Sequence, residues 1–139
     1  MDAGDEDDLL QEVWLSVWRH LRKLREPSAF KSWLYQIARS KIYGQIRKRP
    51  GFAALDEQAE PAAPSEGPDE FRADEAEMIH KCISKLATEH REALLLRFLG
   101  DLSYQEIASV IGRSVGTVRS RIHYAKAALR REMEATSHD

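Results

Sequence analysis

Apolar side chains recur at steps of three and four residues in separate stretches, and this spacing restricts the chain to α-helices. The first stretch covers residues 8–24. Pro27 interrupts the pattern, and Ser28 is predicted to cap a second helix over about residues 29–49. In the first helix the apolar residues are Leu9, Leu10, Val13, Trp14, Val17, Trp18, Leu21 and Leu24. In the second, the expected buried face comprises Phe30, Trp33, Leu34, Ile37 and Ala38, extended by Ile42 and Ile46.

The second half repeats the helical pattern. Helices are predicted over about residues 70–86, 89–99, 104–111 and 115–134. Their ends carry local signals, namely Thr88 and Ser114 as N-caps, Ser103 with Glu106 as a capping box, and Gly100 and Gly112 as turn residues. No stretch has the alternation of a β-strand. We therefore predict an all-α fold with two small helical modules joined by an acidic linker, the second a four-helix domain with a helix-turn-helix.

Residues 50–70 separate the two modules. Pro, Gly, Ala and acidic residues predominate there, and no apolar periodicity persists. The predicted organisation is an N-terminal module over residues 1–49, a flexible linker over residues 50–70 and a C-terminal module over residues 71–139.

Charge is strongly segregated although the net charge is only −2. Residues 1–18 carry six acids and no base, whereas residues 19–49 carry ten bases and one acid. Residues 50–79 carry nine acids and one base, and residues 113–131 carry six bases and no acid. Two basic blocks separated by an acidic segment indicate either two polyanion contacts or two solvated helix faces.

Composition excludes several classes of protein. The single cysteine, Cys82, excludes a disulfide framework and a cysteine-based zinc site. No apolar run approaches the roughly 20 residues that span a membrane, and the acidic N-terminus lacks the apolar segment of a signal peptide. We expect a cytoplasmic protein without membrane contact. Since no metal-ligand spacing, Gly-rich phosphate loop or nucleophile motif is present, we expect no cofactor, metal or catalytic centre.

Residues 103–123 have the pattern of a helix-turn-helix. Ala108 is small where two helices would cross, and Gly112 lies where the turn needs a positive φ. Arg and Ser can read base edges in the major groove, while free amides at a helix N-terminus bind phosphate. A surface hairpin with a basic face is the less favoured alternative. The residues expected to face outward on or near the second helix are Arg113, Thr117, Arg119, Ser120, Arg121 and Lys126.

Aromatic and basic residues interleave over residues 31–49. Bases from a melted duplex can stack on aromatic rings while cations hold the backbone. Trp33 also shares a helical face with Phe30 and Ile37, and composition alone favours a core role for Trp33.

Two pairs of blocks resemble the extracytoplasmic-function (ECF) sigma factors. DDLLQEVW at residues 7–14 and FKSWLYQIAR at residues 30–39 are similar to regions 2.2 to 2.4 of that family. LSYQEIA at residues 102–108 and GTVRSR at residues 116–121 are similar to region 4.2. The resemblance covers residues 5–49 and about residues 70–134.

The resemblance implies a sigma subunit that directs transcription initiation and is not an enzyme. Its implied partners are core RNA polymerase, promoter DNA and an anti-sigma factor. The residues matching the polymerase contact are Asp8, Gln11 and Glu12. Those matching the surface that melts and holds the promoter −10 element are Lys31, Trp33, Gln36, Arg39, Ser40, Lys41 and Tyr43. Those matching the reader of the −35 element are Arg113, Ser114, Thr117, Arg119, Ser120 and Arg121, and Lys126 is assigned to the same interface.

The chain departs from the family at its start. Family members carry two further helices before the residues that match Asp7 to Leu9. Without them, the first two helices would leave a large apolar patch around Trp14 and Trp18 exposed. An upstream segment, self-association, a partner chain or the second half of the chain could cover this patch.

Other interpretations stay open. The chain could be a stand-alone helix-turn-helix regulator with a dimerising hairpin, or a module that sequesters a regulatory protein such as an anti-sigma factor. The linker is expected to be a solvated tether. A second hypothesis is that it shields the basic faces or, as the resemblance suggests, occupies a basic polymerase channel.

Overall fold

The structure, a computed structural model, describes residues 3–48, 61–63 and 71–137. These residues contain helices and turns but no strand, so the all-α prediction is confirmed. The α-helices are α1 Ala3–His20, α2 Phe30–Arg47, α3 Ala76–Ile83, α4 Thr88–Leu94, α5 Tyr104–Ile111 and α6 Val115–Ser137. Short 3₁₀ turns cover Leu21–Lys23, Pro27–Ala29 and Ala73–Glu75, and a π-helical turn covers Leu95–Leu99. Apart from residues 61–63, the predicted linker lies outside the described residues, as does Arg49.

The chain divides into two compact units. The N-terminal unit contains α1 and α2, and the C-terminal unit contains the helices from residue 71 onward, except that Ser109–Gly112 group with the first. Among the described residues, no helix has the length and apolar character needed to cross a membrane. The same residues contain no group of three or more His, Cys, Asp or Glu side chains arranged to hold a metal ion.

In the N-terminal unit α1 packs along α2. Leu9, Val13 and Val17 recur every four residues on α1 and are buried. The predicted buried face of α2 is only half-buried, and Ile42 is 39% exposed. A pair of helices can enclose each other from one side only, so α2 contributes no fully buried residue.

The predicted apolar patch on α1 is exposed. Trp14 is 53% exposed and Trp18 is 79% exposed. Neighbouring exposed apolar residues on this helix and the turn that follows are Leu10, Leu15 and Leu21.

In the C-terminal unit α6 packs against α3 and α4. The buried cluster between these helices comprises Cys82, Leu86, Leu94, Ala125, Leu129 and Met133. Phe71 closes one end of this cluster, where its ring lies edge-to-face with Phe98 at 5.5 Å. Arg130 ties α6 to the 3₁₀ turn Ala73–Glu75 before α3, because its Nη1 donates to Glu75 Oε2 at 3.0 Å. Its guanidinium also lies over the Phe71 ring.

Several predicted helix boundaries are confirmed and others are wrong. Ser103 Oγ accepts from the Glu106 amide at 3.1 Å while Glu106 Oε1 accepts from the Ser103 amide at 2.9 Å, which is the predicted capping box. Ser28 and Thr88 do not cap, since the N-cap positions are Ala29 and Ala87.

The helical segment that begins with α4 does not end as predicted, with Gly100 as its turn residue. The π-helical turn ends with the Gly100 amide donating to the Leu95 carbonyl and the Leu102 amide donating to the Leu96 carbonyl. Gly100 keeps a helical φ of −77°, and Asp101 takes the left-handed φ of 54° instead. Aspartate tolerates this conformation better than most residues, which allows the glycine to remain in the last turn.

Candidate functional site

The helix-turn-helix is built by three local signals in succession. The Ser103 capping box starts α5, and Gly112 turns the chain with the predicted positive φ of 72°. Ser114 then starts α6, because its Oγ accepts from the Thr117 amide at 3.1 Å and its carbonyl accepts from the Val118 amide. These contacts involve residues at most four apart and so depend only on local sequence.

The residues predicted for the −35 element, on α6 and just before it, are only partly exposed. Arg113, Ser114 and Arg119 are exposed, and Thr117 and Lys126 are half-buried. Ser120 and Arg121 are only 8% and 6% exposed, so the prediction that they face solvent is wrong for this conformation.

Ser120 and Arg121 have different surroundings. The backbone amide of Ala63 donates to Ser120 Oγ at 3.3 Å, and Ala63 belongs to the segment between the modules. Arg121 lies about 60° around the helix from the fully buried Val118, at the margin of the core face. Arg121 Nη1 is buried and has no hydrogen-bond partner among the described residues.

Two aromatic residues of α6 were not among the predicted site residues. His123 and Tyr124 lie one turn after Ser120, and their rings meet edge-to-face at 5.0 Å. Both are half-buried. Their spacing of three and four residues from Ser120 was the signal that could have added them to the candidate face.

The candidate −10 residues fall on two sides of α2. Helical geometry places five of them within a sector of about 120°, and places Lys31 and Lys41 on the opposite side. Within the sector the Arg39 guanidinium lies 4.4 Å from the Tyr43 ring centroid. The ring of Trp33, at the edge of the sector, lies 5.9 Å from that of Phe30. The five residues brought together are Trp33, Gln36, Arg39, Ser40 and Tyr43.

The candidate polymerase contact is a single exposed face of α1. Asp8, Gln11 and Glu12 are all exposed and follow the three- and four-residue spacing of one helical face. The buried residues Leu9 and Val13 lie on a different side of the same helix. The arrangement presents two carboxylates and an amide to a partner while α1 remains packed on α2.

Comparisons with known proteins bear on both halves of the chain. A family model for sigma-70 region 2 matches residues 2–50, and one for sigma-70 region 4 matches residues 76–129. The chain is 34% identical to RNA polymerase sigma-H factor of Pseudomonas aeruginosa, across 96% of this chain and 75% of that protein. It is 33% identical to the ECF RNA polymerase sigma-E factor of Escherichia coli K12, across 91% of this chain and 73% of that protein.

The structure is also similar to a solved sigma factor. It superposes with a TM-score of 0.68 on the sigma factor RpoE of Bartonella quintana, which was solved in complex with the anti-sigma factor NepR. The sequence identity is 25%, and the match covers 92% of this chain and 80% of that one.

Proposed function

We propose a division of labour between the parts of this chain, which belongs to the extracytoplasmic-function group of the sigma-70 family of RNA polymerase sigma factors. Residues 1–49 bind core polymerase and the −10 element, residues 50–70 are the tether, and residues 71–139 read the −35 element. The observation that carries this proposal is the occurrence of regions 2 and 4, in that order, in one chain.

The −35 element is assigned to the first turns of α6. The exposed Arg119 is suited to a bidentate hydrogen bond with a guanine edge in the major groove. Ser114 and Thr117, at the N-terminal end of the helix, are suited to phosphate contacts. The remaining residues of this interface are Arg113, Ser120, Arg121 and Lys126.

The −10 element is assigned to the aromatic sector of α2. Exposed bases gain about 1–3 kcal/mol each by stacking on aromatic rings, so Tyr43 and Trp33 supply the stacking surfaces. Arg39 and Ser40 lie beside them for backbone contacts, and Gln36 offers both a donor and an acceptor to a base edge. Lys31 and Lys41 face elsewhere and act by attracting the duplex rather than by reading bases.

Core polymerase is assigned to Asp8, Gln11 and Glu12. Their exposed face is acidic, so it complements a basic surface on the partner. The chain has no catalytic centre in this proposal, since polymerase performs the chemistry, and it acts in the cytoplasm where polymerase and chromosomal DNA are found. Two modules on one tether combine their affinities when the two promoter elements have the correct spacing.

An anti-sigma factor is the proposed inhibitory partner, since the Bartonella quintana sigma factor was solved in complex with an anti-sigma factor. The exposed apolar residues Trp14 and Trp18 on α1 are suited to protein contacts. A second apolar surface is a groove of about 300 Å³ in the C-terminal unit, lined by Phe71, Ile79, Ile83, Leu95, Phe98 and Leu99, among other residues.

A pull-down with core RNA polymerase tests the proposal. Wild-type chain is compared with the double variant Asp8→Ala/Gln11→Ala and with Glu134→Ala, which removes an exposed acid near the end of α6. We expect saturable binding that is lost in the double variant and kept in the control. A folded wild-type chain that fails to bind polymerase, yet binds duplex DNA alone, would instead support a stand-alone regulator.

A further inference from the structure

The backbone of Ala63, in residues 61–63 of the inter-module segment, contacts α6, the recognition helix of the proposed −35 reader. The Ala63 amide donates to Ser120 Oγ across 57 positions of sequence, at 3.3 Å. Both residues belong to the C-terminal unit. Ser120 is 8% exposed, although it stands in the middle of the proposed DNA-reading face.

This contact and duplex binding exclude each other on steric grounds. Ser120 lies one turn after Thr117 and one turn before Tyr124, so any duplex read by this face must approach Ser120 directly. The major groove is about 12 Å wide, and a helix with its side chains is about 10–12 Å across. The groove therefore has no room for a second backbone segment lying on the helix.

The neighbouring Arg121 is also buried, at the margin of the core face. Arg121 is 6% exposed and its Nη1 has no hydrogen-bond partner among the described residues. A buried guanidinium nitrogen without an acceptor is unfavourable, whereas a phosphate oxygen would give it a charge-assisted hydrogen bond. Within the proposed DNA-reading face, Ser120 and Arg121 are thus both buried in this conformation.

We propose that Pro61–Ala63 is an autoinhibitory strap that masks the recognition helix until promoter duplex displaces it. This inference rests on the proposed reading of the −35 element by α6. The contact described for the strap is one backbone hydrogen bond, and Pro61 and Ala62 are exposed, so its hold is weak. A weak hold suits a reversible mask, because a promoter contact to Ser120 can replace it.

Substitution at Ala63 tests the mask without changing α6. Ala63→Pro removes the amide hydrogen that Ser120 accepts, and Ala62→Pro is the matched control that keeps it. Each full-length chain is titrated by fluorescence anisotropy against a duplex selected from a random pool by wild-type holoenzyme. We expect Ala63→Pro to bind the duplex about fivefold more tightly than wild type, the effect of losing one competing hydrogen bond, and Ala62→Pro to match wild type. Equal affinities of wild type and Ala63→Pro would overturn the proposal.

Amide exchange of the wild-type chain provides an independent measurement. By NMR, the Ala63 amide should exchange about tenfold more slowly than in an unstructured chain, and saturation with the duplex should remove this protection. Exchange at the unstructured rate, or protection that survives duplex binding, would also overturn the mask. If Ala63 is protected but neither wild type nor Ala63→Pro binds any duplex, the assignment of α6 to DNA fails and the mask fails with it.

Discussion

The Arg39 guanidinium lies over the Tyr43 ring, 4.4 Å from its centroid and one helical turn earlier on α2. A cation over an aromatic face is attracted by the ring quadrupole, at a gain of about 0.5–1 kcal/mol at exposed sites. The pair therefore restrains both side chains on the sector that we assign to the −10 element. A restrained ring loses less conformational entropy when a base stacks on it.

Loss of the Tyr43 ring should impair promoter opening. Tyr43→Ala removes a stacking surface, so opening by reconstituted holoenzyme should fall by about tenfold, within the range for one stacked base. Tyr43→Phe keeps the ring and should open the promoter almost normally. Permanganate reactivity of unpaired thymines measures opening. Normal opening by Tyr43→Ala would remove Tyr43 from the −10 site.

Arg119 should contribute specificity for the −35 element. Arg119→Ala should weaken duplex binding by about 1–3 kcal/mol, the scale of one bidentate base contact, and relax the preference at one base pair. Arg131→Ala removes the same charge from an exposed position twelve residues later, about 18 Å along α6. Anisotropy titration measures the duplex affinity of both variants. Equal losses of affinity would indicate general electrostatic attraction instead of base reading.

Arg121 should affect stability and DNA binding in opposite directions. Arg121→Met replaces a buried, incompletely bonded guanidinium with an apolar chain of similar length, so the free energy of unfolding should rise by about 1 kcal/mol. Duplex affinity should fall because a phosphate or base partner is lost. Urea unfolding and anisotropy measure the two effects. A variant that is both less stable and weaker in binding would show that Arg121 is a structural residue.

Two glycines should respond to alanine with opposite signs. Gly112 has a φ of +72°, and open space surrounds the position of an added Cβ, so Gly112→Ala should cost about 1–2 kcal/mol through backbone strain alone. Gly44 lies inside α2 with equally open space, so Gly44→Ala should stabilise the chain by about 0.5–1 kcal/mol. Urea unfolding measures the free energy of unfolding of both variants. An unchanged free energy in Gly112→Ala would contradict the left-handed turn.

Adjacent residues of α1 should differ sharply in their effect on stability. Val17 is 6% exposed, and Val17→Ala should lower the free energy of unfolding by about 1–3 kcal/mol through loss of buried methyl groups. Trp18 is 79% exposed, and Trp18→Ala should change this free energy by less than about 0.5 kcal/mol. A large loss in Trp18→Ala would mean that another surface covers the patch in solution.

Much of the recognition element could be predicted from local sequence. The capping box of Ser103 with Glu106, the positive φ of Gly112 and the Ser114 cap were all predicted correctly. Each depends on atoms within a few residues of one another, so side-chain chemistry at fixed spacing is sufficient. The cap at Thr88 was wrong, because a helix can begin one residue earlier at little cost in free energy.

The periodicity of apolar residues was enough to define an all-α chain, since helical geometry maps spacing in sequence directly onto faces in space. Tertiary contacts decided which of these helical faces are buried. The face of α2 remains half-buried because a single helix packs along it in the described part of its unit. The buried Ser120 accepts a hydrogen bond from Ala63, which is 57 positions away. No local pattern encodes such a pairing, because its free energy exists only once the chain has brought the two segments together.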